Sequence, residues 1–297
     1  MNSASNVLVL GVTGQVGKLV AQNLKRSEAN FSVASRRKAR LEELAHQFGA
    51  SRFIDLDDPR TFDDALKDIT GIFLLTGYTV DMLVHSKSLI DAARRNAVNH
   101  IVHLGAFTRE RDSYATVFAW HQMIEIYLQA SGVAWTNLHP NMFMQNLLSS
   151  AAVKGGRYSY YTSKALGYTA LEDVAESAAR ILMEGPTKHS GKDYWFSADV
   201  LTAKQVAETL AEATGRKFTA AVRTAEAFQS EAEQPGSIFE PAYAKGGLEF
   251  FRYVDDGRMA YVGSVKDDTE KILGREPLLL REWAKLHVNE LLEIAGS

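Results

Sequence analysis

The chain has no cysteine among its 297 residues. That excludes disulfides, thiolate metal sites and cysteine nucleophiles. It also fits a reducing compartment, and a cytoplasmic location is expected. Neither sign of charge is in excess: 33 Lys and Arg face 36 Asp and Glu, a formal net charge of −3. Such a balance gives no reason to expect nucleic acid or an anionic membrane as the main partner. No apolar run approaches the roughly 18 residues that a membrane span needs. The first apolar run, residues 7–12, is too short for a secretory signal and flows into glycines. Internal repeats and low-complexity stretches are also missing.

What remains is ordinary globular material, 46% hydrophobic and 23% charged. The length suits one large domain or two smaller ones. Through residue 140, short apolar runs alternate with helical patterns. Strands are expected at "VLVLGV" (7–12), "FSVASR" (31–36), "RFIDL" (52–56), "GIFLLT" (71–76), "HIVHLGAF" (100–107) and "AWTNLHP" (134–140). Helices are expected between them at 16–26, 38–48, about 59–67, about 79–96 and 114–131. In the fourth of these, Leu83, Ile90, Ala93 and Ala97 fall on one face. Strand–helix alternation at this spacing predicts an α/β fold, a doubly wound parallel sheet of Rossmann type.

After about residue 150 the rhythm changes. "KGGRYSYYTSKALGY" (154–168) reads as loops or short strands. A helix over 171–184, a strand over 193–198, a helix over 202–215 and a strand over 217–223 follow. Thr202 is the expected N-cap and Gly215 the expected stop of that second helix. Residues 224–297 read as mostly helical, broken at "EQPGS" (233–237) and "GREP" (274–277). The expected division is a nucleotide-binding domain over 1–155 and a smaller mixed, mainly helical substrate lobe over 156–297. Residues of about 171–200 are expected to return to the first domain.

"VLVLGVTGQVGKLV" (7–20) places Gly11, Gly14 and Gly17 between the first strand and the first helix. A tight turn needs a residue that tolerates unusual backbone angles. The backbone must also come close to a ligand, and the helix must pack closely on the strand. Free N–H groups at the helix start then face an anion, helped by the helix dipole. A dinucleotide pyrophosphate meets these conditions, with Gly11, Thr13, Gly14, Gln15, Val16 and Gly17 holding it.

The spacing "GVTGQVG" resembles that of extended and atypical short-chain dehydrogenases/reductases. "FIDLDDPRTFDDAL", "LEDVAESAARIL" and "GKDYWFSADVLTAKQVAETLAEATGRK" are similar to segments of the NmrA-like branch. That branch includes triphenylmethane-reductase-like and quinone-oxidoreductase-like enzymes. The most specific match is "WHQMIEIYLQASGVAWTNLHPNMFMQNLL" (120–148). It resembles a family pattern of a helix with His or Lys and a Glu four residues on, then SG, WT, LRP, F and N.

An NAD site usually carries an acidic residue at the end of the second strand. Here the sequence reads "SRRKAR" (35–40), without a carboxylate. Arg36, Arg37 and Lys38 suit a 2′-phosphate, which favours NADP(H) over NAD(H). The resemblance implies further cofactor contacts. Asp55 and Leu56 would lie at the adenine, although Asp55 also suits a turn. Thr76, Gly77 and Tyr78 would border the ribose, and Gly105, Ala106 and Phe107 the nicotinamide. Asn141, Met142 and Phe143 would close over it.

Short-chain reductases of the usual kind use a Tyr four residues before a Lys. His121 stands at the Lys position, and counting back four gives Val117. The usual Ser at the end of the fifth strand is replaced by Gly105 or Ala106. An acceptor that is already electron-poor takes hydride without such an acid, which leaves the protein to position it and exclude water. His121 could hold the ribose, donate a proton or simply pack, with Glu125 orienting it one turn on. Tyr114 and Tyr78 are further candidates for proton donor. His100 and His103, three apart on a strand, face opposite sides and cannot share one metal ion, so no metal is expected. Tyr158, Tyr160, Tyr161, Phe250, Phe251 and Tyr253 could line an apolar substrate pocket, although half of them also suit ordinary core or surface positions.

The resemblance therefore implies an NADP(H)-dependent oxidoreductase acting on a small aromatic or quinone-like molecule. The alternative it implies is a non-catalytic dinucleotide sensor that regulates a partner protein. A homo-oligomer is compatible with either.

Overall fold

The structure, a computed structural model, describes residues 6–108, 115–149, 152–234 and 240–296. In chain order, the first half runs β1 (Asn6–Val9), α1 (Gln15–Arg26), β2 (Asn30–Ser35), α2 (Leu41–Phe48), β3 (Ser51–Phe53) and α3 (Phe62–Leu66). It continues with β4 (Gly71–Leu74), α4 (Met82–Arg95), β5 (His100–Leu104), α5 (Thr116–Ala130) and β6 (Ala134–Pro140). The second half starts with β7 (Met142–Phe143), β8 (Val153–Lys154), β9 (Arg157–Tyr160) and β10 (Leu166–Thr169). Then come α6 (Leu171–Glu184), α7 (Pro186–His189), β11 (Lys192–Phe196), β12 (Asp199–Leu201), α8 (Ala203–Thr214) and β13 (Thr219–Val222). Five helices close the chain: α9 (Ala225–Ala232), α10 (Pro241–Asp255), α11 (Thr269–Leu273), α12 (Leu280–Leu286) and α13 (Val288–Gly296).

Seven strands form one parallel sheet in the order β11-β6-β5-β4-β1-β2-β3. The order reverses between β4 and β1, and ligands of open α/β sheets bind beyond the strand ends at such a reversal. The strands read as continuous apolar runs because both faces are covered. Val7 and Val9 face the layer formed with α1, α2 and α6. Leu8 and Leu10 face the layer formed with α3, α4 and α5. α6 lies beside α1, and β11 extends the sheet at β6, so both pack with the first half of the chain.

Two three-stranded sheets, β12-β10-β7 and β13-β9-β8, form the smaller lobe with α8 to α10, α12 and α13. Thr202 and Gln205 form a reciprocal capping box at the start of α8, and Gly215 ends it in the left-handed region, φ +66°. One helical face differs from the pattern expected. α4 buries Met82, Ser86, Leu89, Ile90, Ala92 and Ala93. Leu83 is half-buried and Ala97 exposed. The helix stops at Arg95, and Ala97 turns out of it at φ +53°.

The aromatic residues expected around a substrate pocket are a correction. Tyr158, Tyr160, Tyr161, Phe250 and Phe251 are buried together in the core of the smaller lobe, with Tyr253 against its edge. Edge-on contacts join Tyr160 and Phe250 to Phe251. A lobe of short strands has few apolar positions per strand, so its large rings supply the core.

Candidate active site

The glycine turn closes as its spacing requires. Gly11 sits at φ +70°, and its carbonyl accepts the Gly14 N–H at 2.9 Å. A Cβ on Gly17 would lie 2.5 Å from the Gly11 carbonyl and 2.6 Å from the Leu10 oxygen. α1 therefore rests on the end of β1 closer than any side chain allows. Thr13, Gly14 and Gln15 are exposed at the helix start. α1 has no acidic residue in its first turn and no side-chain cap, so its first N–H groups stay available to an anion.

Beyond β2, Arg36, Arg37 and Lys38 are exposed. Arg36 stands 4.0 Å from Asp57, and Lys38 lies over the Phe53 ring. Asp55 performs a turn role: its carboxylate accepts the Asp57 N–H at 3.2 Å. Leu56 packs against the core. Thr76 turns its hydroxyl inward to Ser86, 2.9 Å away, while Gly77 is exposed. Asn141 uses its amide to hold Ser197 and the Val262 carbonyl. It ties the sheet to the smaller lobe, and Phe143 packs half-buried beside it. Tyr114 lies outside the described residues.

Tyr78 is 37% exposed, 5.5 Å between centroids from Tyr243 of α10. Its hydroxyl points inward and lies 3.0 Å from His121 Nε2. Burial raises the hydroxyl above its ordinary range, so it stays protonated. His121 is 3% exposed, and burial followed by the His139 charge pushes it down to about 3. It is a neutral imidazole across the physiological range. His121 Nδ1 lies 3.4 Å from His103 Nε2.

Glu125 does not face His121. It turns toward His103 and His139, with Oε1 4.0 Å from His103 Nδ1 and 3.7 Å from His139 Nδ1. Burial, offset in part by His139, pushes its carboxyl up to about 7. Gly105 leaves the space for it: a Cβ there would sit 2.7 Å from Glu125 Oε1. The Gly105 N–H is bonded to the Leu138 carbonyl, and Ala106 is held from behind by His139.

His139 was not singled out in the sequence, although it stands where the family pattern has Arg. Its Nδ1 pairs with the Ala106 carbonyl at 3.0 Å and its Nε2 with Asp193 Oδ1 at 2.9 Å. A carbonyl and a carboxylate only accept, so both ring nitrogens donate and the ring is an imidazolium. Burial opposes that charge. The Asp193 hydrogen bond, Glu125, and the Ala106 carbonyl outweigh it and raise His139. Trp195 stacks on the ring at 4.9 Å. His100 points elsewhere, to Thr136.

A glycine turn at the reversal of a seven-stranded parallel sheet defines a Rossmann-type fold. The NmrA-like family model matches residues 3–252, and the chain belongs to the NmrA-like family. It is 28% identical over 284 residues to an NAD(P)H azoreductase of Xenophilus azovorans, covering 95% of this chain and 97% of that protein. Among solved structures, the triphenylmethane reductase of a Citrobacter species, complexed with NADP(H), superposes with a TM-score of 0.79 at 21% identity. That match covers 95% of this chain and 99% of the reductase. The negative transcriptional regulator NmrA, in complex with NADP, superposes with a TM-score of 0.75 at 16% identity, over 98% of this chain and 97% of the regulator.

Proposed function

We propose that the chain is an NADP(H)-dependent oxidoreductase that reduces a small, flat, electron-poor organic acceptor of the azo, quinone or dye-cation class. The observation that carries this is the Gly11–Gly17 turn at the sheet reversal, where the missing Cβ atoms and uncapped N–H groups suit a pyrophosphate. The azoreductase relationship over nearly the whole of both chains supports the acceptor class. Thr13, Gly14, Gln15 and Val16 would hold the pyrophosphate, and Arg36 with Arg37 the 2′-phosphate. Thr76, Gly77, Gly105, Ala106 and Phe143 would border the rest of the cofactor, chiefly through backbone.

The bound cofactor supplies the hydride. Tyr78 holds a proton at its hydroxyl, and its ring is partly exposed beside Tyr243, so it is the proton donor assigned here. His121 beneath it fixes the orientation of that hydroxyl. Tyr243 from the opposite lobe narrows the opening and helps exclude water. No Tyr stands at residue 117, so this donor comes from the loop after β4 instead of from α5.

The test is calorimetric titration with NADPH, followed by NADPH oxidation against azo dyes, quinones and triarylmethane cations. Micromolar binding with turnover of at least one class is expected. No heat with NADPH or NADP⁺ would overturn the cofactor assignment. Binding without any turnover would favour the regulator.

A further inference from the structure

Beneath Tyr78 lies a line of buried polar groups that the binding of a cofactor does not require. His121, His103, His139 and Glu125 are each no more than 8% exposed and come from α5, β5 and β6. Burying four ionisable side chains in contact is costly unless they stay neutral, hydrogen-bond or pair. Yet two atoms in the line, His103 Nδ1 and Glu125 Oε1, have no hydrogen-bond partner among the described residues. They face each other at 4.0 Å.

We propose that Glu125 is a proton store, and that His103 and His121 carry its proton to the Tyr78 hydroxyl, an inference that rests on the proposed hydride-transfer function. The spacings define the line: 4.0 Å from Glu125 to His103, 3.4 Å from His103 to His121 and 3.0 Å from His121 to Tyr78. A carboxyl shift of about 1 Å closes the first gap to a hydrogen bond. His139 and Asp193 are positioning residues. The imidazolium, pinned by Asp193 and the Ala106 carbonyl, stands 3.7 Å from the carboxyl and steadies the carboxylate left behind.

A bound NADPH would supply hydride, two electrons, to a neutral azo or quinone acceptor, leaving NADP⁺. The Tyr78 O–H bond breaks, and an N–H or O–H bond forms on the acceptor. Tyr78 regains a proton from His121 Nε2. His121 Nδ1 takes one from His103 Nε2, and His103 Nδ1 takes one from the Glu125 carboxyl. Solvent later reprotonates Glu125. A triarylmethane cation needs only hydride and bypasses the line.

The groups facing Glu125 are His103 from β5, His139 from β6 and Asp193 from β11, with His121 on its own helix. Lys266 lies beyond Asp193, over the Trp195 ring. A carboxyl titrating at about 7 among them holds a transferable proton at neutral pH.

Two measurements test this. In the protein without cofactor, ¹⁵N-imidazole spectra of His103 and His121 should show one shared inflection near pH 7. Glu125→Gln should remove it, and Glu125→Asp should retain it. An inflection unchanged in Glu125→Gln, or none in the natural protein, overturns the proposal. In steady-state turnover, Glu125→Gln should lose at least tenfold more rate with an azo or quinone acceptor than with a triarylmethane cation. Glu125→Asp should recover part of that loss, and equal losses with both acceptor classes overturn the proposal. A protein that binds no NADPH would end the proposed function, while the spectra would still decide whether Glu125 and the two histidines share a proton.

Discussion

Residue chemistry separates two kinds of basic group here. Arg36 and Arg37 are exposed and charged, and among the described residues only Asp57, at 4.0 Å, stands near Arg36 as a counter-charge. A guanidinium paired with a phosphate contributes about 1.5–3 kcal/mol. Replacing both with Ala should therefore weaken NADPH by ~100-fold or more and NADH by less than ~3-fold. Calorimetry at fixed salt measures both, and equal losses would remove the NADP(H) preference. The buried histidines behave in the opposite way. His121 and His100, at about 3 and 4, stay neutral because no anion offsets their burial, whereas Asp193 gives His139 its charge.

At the scale of elements, the β1–α1 junction positions the site. Gly17 has no room for a side chain because backbone atoms, which cannot rotate away, stand within 2.6 Å of its missing Cβ. Gly17→Ala should lift α1 off β1, cost about 1–3 kcal/mol in urea unfolding and lower cofactor affinity. An unchanged midpoint with full affinity would show that the helix is not seated as described. This junction was legible in the sequence because strand, turn and helix adjoin. The edges of elements were less so. The strand expected to run through Leu56 stops at Phe53, and the one expected through Phe107 stops at Leu104. Beyond each the chain turns, the Asp58 N–H bonding the Asp55 carbonyl and the Thr108 N–H the Ala106 carbonyl, and local pattern does not register where a neighbouring strand ends.

The whole molecule adds linked effects of pH and ligand. His100 and His121 titrate below the ordinary 6.5, so the unfolded chain binds protons that the folded one refuses. Their contribution is present above pH 6.5 and is lost as pH falls toward 3–4. Glu125 is displaced upward, to about 7, and His139 is also raised. Their contributions are present at low pH and are lost as pH rises, from the ordinary carboxylate range through 7 for Glu125 and above 6.5 for His139. The urea midpoint should therefore peak at mildly acidic pH and fall on both sides. In Glu125→Gln the rise between about pH 5 and 6.5, set by the two histidines, should steepen, and an unaltered profile would show that this carboxyl is not displaced. Cofactor should act on the same equilibrium. NADPH at about 100 times its Kd adds ~2.7 kcal/mol, which should raise Tm by roughly 5 °C. A thermal shift assay with NADPH and NADH checks the size and the order.

Some of this protein was determined by its sequence alone: the alternation of strand and helix, the glycine turn, the capped start of α8 and the basic turn after β2. Each is a local pattern, set by the periods of helix and strand and by the backbone freedom of single residues. The tertiary structure alone decided that Glu125, His103, His139 and Asp193 meet. Parallel pairing sets His103 beside Asn137 and Asn137 beside Asp193, bringing together residues up to 90 positions apart. Strand order and register come from packing both faces of the whole sheet, so no short stretch of sequence carries them.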